Sequence, residues 1–165
     1  MNNRIIICVF ILIFFWGCTN PPPVCRYGTP KAVFSDTLPK IKTDDFSQKG
    51  QQATEHITFS NEVELTILQS GCDDIKQVFQ FKLPENLTTQ PADFFINQAI
   101  NQLNYLGSLS DNHLSFGQIG QLVSEKKETI KLGKFIQLQE NYYLKIDRIL
   151  GENEKILLIE FSSTN

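Results

Sequence analysis

From Ile57 onward, apolar side chains recur at every second residue. Ile57, Phe59, Val63, Leu65 and Ile67 follow this rule, broken only at Asn61, with Thr58, Ser60, Glu62, Glu64 and Thr66 between them. A period of two belongs to a strand with one buried face, because successive side chains point to opposite sides of the pleat. The turn-forming run Ser70-Gly71-Cys72-Asp73-Asp74 then separates this strand from a second alternation through Ile75, Phe79, Phe81 and Leu83. Residues 57–83 therefore read as a long hairpin, ended by Pro84.

The period changes after Pro91. Ala92, Ile96, Ala99, Leu103 and Leu106 fall at helical spacing, and Pro91 suits the first helical position because its missing N–H would be unpaired there anyway. The opposite face carries Asp93, Asn97, Gln98, Asn101, Gln102 and Asn104, which reads as a solvated surface. A second helix over residues 115–127 would use Ile119, Leu122 and Val123, against a cost of about 1 kcal/mol each for Gly117 and Gly120 relative to Ala. Alternation returns through Ile130 and Leu132, then Phe135, Ile136 and Leu138, with Gly133 expected to mark a bulge between them. Tyr142, Leu144 and Ile146 follow Glu140-Asn141, and Gly151-Glu152-Asn153-Glu154 turns the chain into a last strand over residues 156–161. The expected fold is α+β: an antiparallel sheet of about five strands with one or two helices packed on one face.

The start of the chain obeys other rules. One positive charge at Arg4 precedes an unbroken apolar run over residues 5–16. A membrane-spanning helix needs roughly 20 apolar residues, whereas the apolar part of a signal peptide needs about 7 to 15. The Phe15-Trp16-Gly17-Cys18 segment resembles the lipobox of bacterial lipoproteins, with Trp16 standing where that family usually has a small residue. The resemblance implies cleavage before Cys18, lipidation of Cys18, and a membrane anchor made by its acyl chains. The same resemblance implies the outer membrane, because Thr19 follows Cys18 where an Asp would resemble an inner-membrane retention signal. The organisation expected is a signal peptide over residues 1–17, then a tether and irregular segment over 18–55 containing Pro21, Pro22 and Pro23, then one α+β domain over 56–165. Removal of the leader also removes Cys8. Since lipid would occupy Cys18, Cys25 and Cys72 remain as an expected disulfide in an oxidising compartment.

Chemistry is harder to find. His56 and His113 are far apart and have no Cys, Asp or Glu at ligand spacing, so no metal site and no cofactor are expected. A Cys72 thiolate acting with His113, or Glu62 and Glu64 paired on one strand face, could each be imagined as catalytic. Yet Asp73 and Asp74 would oppose the thiolate, and outward acidic residues are ordinary on strands. Of Tyr142 and Tyr143, adjacent on a strand, at most one would be exposed. Fifteen basic and 18 acidic residues give a net charge of −3 without a basic cluster, which argues against nucleic-acid binding. The expectation is a non-enzymatic envelope lipoprotein that binds a protein or glycan, in the general profile of inhibitor and immunity lipoproteins. The alternatives are a structural accessory of an envelope assembly and a hydrolase or transferase with an unrecognised site.

Overall fold

The first half of the chain forms four strands where two were expected. The structure, a computed structural model, describes residues 28–84, 90–152 and 154–164. The leader, Cys18, the proline tether and Cys25 lie outside the described residues. Strands β1 (Ile41–Lys49), β2 (Gln52–Phe59), β3 (Glu64–Ser70) and β4 (Lys76–Lys82) run as an antiparallel meander. Helices α1 (Ala92–Gly107) and α2 (Leu114–Glu125) follow, and β5 (Phe135–Gln139), β6 (Tyr142–Leu150) and β7 (Lys155–Ser162) complete the sheet. The spatial order is β1-β2-β3-β4-β7-β6-β5, so the helices carry the chain from the middle of the sheet to its far edge and the last strands return to β4.

Seven strands replace the expected five for two physical reasons. The alternation from Ile57 to Ile67 conceals a turn at residues 60–63, closed by the Phe59 N–H donating to the Val63 carbonyl at 2.9 Å, with Glu62 in the left-handed region at φ 63°. Phe59 and Val63 are four apart, so the parity survives and two strands read as one. The other added strand, β1, lies in the segment expected to be irregular. It is an edge strand on which only Ile41, Asp44 and Phe46 are half-buried, so it lacks the one-sided pattern that betrays a strand covered on one face. β2 begins well before Ile57 but carries Glu55 at an inward position, which interrupts the apolar pattern.

Inward residues line up in rows. Ile57, Leu65, Phe81 and Leu157 are neighbours across β2, β3, β4 and β7, and Ile67, Phe79, Ile159 and Ile146 form the next row. Phe95, Ile96, Ala99, Leu103 and Leu106 of α1 are buried with them in one core. Each of the Ile, Leu and Phe side chains among them contributes roughly 1.5–3 kcal/mol of burial. Pro91 is the N-cap of α1 and not its first helical residue. Of the two glycines that weaken α2 on paper, Gly120 serves packing, since a Cβ there would meet Asn104 Oδ1 at 2.5 Å. On the other helix a Cβ on Gly107 would sit 2.5 Å from the Gly117 nitrogen, so the helices meet backbone to backbone. Gly133 marks no bulge. It sits in a loop at φ 75° and donates its N–H to the Ile146 carbonyl, residues 130–132 are not strand, and the register shift falls between Gln137 and Gln139.

Candidate functional site

The residues singled out for chemistry are dispersed. His56 points to the bare face of the sheet, exposed, with Nδ1 3.0 Å from the Thr66 hydroxyl. His113 is buried on the helix side, with Nδ1 2.7 Å from the Ser110 hydroxyl and Nε2 3.1 Å from the Val33 carbonyl, and its ring stacks on Phe34 at 4.7 Å. Cys72 is disulfide-bonded, and its partner lies outside the described residues, as does Cys25. Cys72 and His113 therefore form no nucleophile and base. Glu62 is in the β2–β3 turn, not on the strand face beside Glu64, and the two pair with Lys42 and Lys82 respectively. No metal-holding group of His, Cys, Asp and Glu occurs among the described residues.

One buried group went unnoticed in the sequence. Glu55 is 0% exposed, and its two carboxylate oxygens accept the backbone N–H groups of Val33 (2.7 Å) and Phe34 (2.9 Å). Gln69 adds a bond from Nε2 to the Lys31 carbonyl at 2.8 Å. Residues 31–34 are thus a strap fastened to β2 and β3, with His113 closing over Phe34. Burial pushes the Glu55 carboxyl above its ordinary range, the two N–H bonds oppose that rise, and Asp44 adds to it. Asp44 is itself raised by burial and by Asp36 and Asp45. The inward parity of Ala53, Glu55, Ile57 and Phe59 was the signal available.

The helices cover one side of the sheet, and the other is bare. Leu68 (38% exposed), Val78 and Leu158 make an aliphatic stripe there, continued by Ile149 (46% exposed). Beside it Glu160 is buried between Lys76, at 2.7 Å, and Lys145. Burial alone would raise the Glu160 carboxyl, but the bonds and charges of the two lysines outweigh it and hold it below its ordinary range.

Two clefts open at one end of the sheet. The first, about 480 Å³, lies between the strap and the start of β4. The second, about 550 Å³, lies between α2 and the β5–β6 turn, walled by Phe116, Ile119, Leu122 and Tyr142. Gln77 lines both and donates from Nε2 to Gln69 Oε1 at 3.2 Å. Gln118, Gln139 and Asn141 also line the second cleft, and burial pushes the Tyr142 hydroxyl up to about 12. The polar groups that converge there are amides and hydroxyls, with Glu140 the one carboxylate. Such a lining orients a ligand by hydrogen bonds and offers no acid–base pair. Compared with known proteins, the chain matches no family model, no curated protein and no solved structure.

Proposed function

We propose that this chain is an envelope lipoprotein, held at the outer membrane by acyl chains on Cys18, whose domain binds a protein or glycan without transforming it. The observation that carries the reading is the chemistry of the second cleft. Its convergent polar groups are amides and hydroxyls, among them a tyrosine hydroxyl that stays protonated at physiological pH, with the exposed Glu140 the one carboxylate. A hydrolase or transferase commonly uses an acid and a base placed together, and this lining holds a single carboxylate with no partner acid or base beside it. The bare aliphatic stripe of Leu68, Val78 and Leu158 supports a second reading, an accessory of an envelope assembly, because apolar sheet surface is suited to lying against another protein.

The test is cross-linking in intact envelopes, followed by solubilisation and mass spectrometry. A partner recovered at fixed stoichiometry through residues of the second cleft fits the binding module, and recovery through β3, β4 and β7 fits the accessory. A purified protein that turns over an envelope substrate, and stops when one cleft residue is replaced, would sink both. The anchor has its own check. Cys18→Ser should abolish incorporation of a labelled fatty acid, and label retained by the variant, or absent from the wild type, would remove the address.

A further inference from the structure

We propose that the cleft between α2 and the β5–β6 turn binds a neutral, N-acetylated sugar chain, an inference that rests on reading the domain as a binding module. The cleft, about 550 Å³, lies within the size range of small-ligand sites. Its apolar wall is Phe116, Ile119 and Leu122, spaced by three along one side of α2, facing the β5–β6 turn and the ring of Tyr142 at the start of β6. Both rings are partly exposed, offering apolar surface to the C–H face of a sugar.

The polar groups are uncommitted. The side chains of Gln118, Gln139 and Asn141 make no hydrogen bond to protein among the described residues, and Gln77 uses only one N–H, toward Gln69. Each primary amide carries two donors and an acceptor oxygen, so these four residues can answer hydroxyl and acetamido groups, which likewise both donate and accept. An acetamido group adds a match that a plain hydroxyl lacks, since an amide side chain can meet it with two bonds while its methyl rests on the apolar wall. Charge argues the same way. The only ionisable lining groups are the exposed Glu140 and Tyr142, with no cation among them, so an anionic ligand finds no counter-charge and salt has little to screen.

An extended peptide is the main rival, because β5 is a sheet edge with unpaired backbone groups. The register shift between Gln137 and Gln139 interrupts that edge where it borders the cleft, which spoils the regular ladder that strand addition needs.

Ligand-observed saturation-transfer NMR on the detergent-solubilised full chain tests this, with tri-N-acetylchitotriose as probe and maltotriose as comparison. The expected result is saturable binding of the chitotriose, weaker binding of maltotriose, and no loss on raising salt. The exposed pair Gln118→Ala and Gln139→Ala together should weaken binding by about tenfold or more at an unchanged melting temperature. Absence of saturable chitotriose binding, binding untouched by the double variant, or binding abolished by salt would overturn the proposal. If the sugars fail while the double variant abolishes a cross-linked protein contact at this cleft, the ligand class is wrong and the binding module stands. If the sugars fail and that contact is missing as well, both fall.

Discussion

Glu55 and Glu160 are carboxylates removed from water in opposite ways, and stability should respond to pH with opposite signs at the two. Glu55 is held above its ordinary range, chiefly by burial, so the folded state takes up its proton more readily than the unfolded chain. Its contribution is therefore greatest below the unfolded value and is lost as pH rises through the raised folded one. Glu160, lowered by Lys145 and Lys76 against the opposing effect of burial, contributes above the unfolded carboxylate value and loses that contribution as pH falls. Urea midpoints measured from about pH 7 to about pH 4 should show the wild type gaining on Glu55→Gln and losing ground to Glu160→Gln as acid is added. A difference independent of pH for either variant would mean that carboxylate feels no net change on folding. Glu55→Ala should be costlier than Glu55→Gln, because Gln keeps one acceptor oxygen for the Val33 or Phe34 N–H while Ala leaves both without one, a difference of about 1–3 kcal/mol. Equal losses for the two variants would show that the strap does not depend on those bonds.

At the level of elements, the helix hairpin separates what the sequence disclosed from what it hid. The inward stripe of α1 was legible because helical spacing and burial coincide: Ile96 is 1% exposed and Leu103 0%, so truncating either to Ala should cost about 2 to 5 kcal/mol in urea unfolding. The role of the glycines was illegible, since close approach of two helices leaves no trace in the periodicity of either. Gly107→Ala would drive a methyl into the Gly117 backbone and should destabilise by about 1–3 kcal/mol. Gly117→Ala meets nothing nearer than the Gly107 Cα at 3.9 Å and should gain up to about 1 kcal/mol of helix propensity. Similar effects from both would mean the helices are not in backbone contact. The strands obey the same division. β3 and β4 carry one-sided apolar patterns and β7 a continuous apolar run, which made them readable, but β1 lies at an edge, and an even-numbered turn fused β2 to β3 without breaking parity. The second cleft escaped for a related reason. Gln77, Gln118, Gln139 and Asn141 come from different parts of the chain and look like ordinary surface amides until the fold gathers them.

At the scale of the whole molecule, the strap is where the domain would be joined to the proposed tether. The strap enters along the inward side of β2 and β3, where Glu55, Gln69 and His113 hold residues 31–34, and Cys72 sits in the β3–β4 turn at the same end of the sheet. We propose Cys25 as the disulfide partner of Cys72. The bond would then close a loop of about 48 residues, for which chain entropy gives roughly 4 kcal/mol. It would also place a covalent stop between the proposed anchor and the strap, so that a pull on such a tether would reach the β3–β4 turn before the hydrogen bonds on Val33 and Phe34. Non-reducing peptide mapping should recover a fragment joining the two cysteines. Reduction should then lower stability by up to about that amount and speed hydrogen exchange at Val33 and Phe34 more than at the inward residues of β4 and β7. The contrast between those two sets of amides is what identifies a local clamp. If reduction speeds exchange equally everywhere, the disulfide acts on the global unfolding equilibrium alone, and if it changes nothing, the strap is held by Glu55, Gln69 and His113 without covalent help.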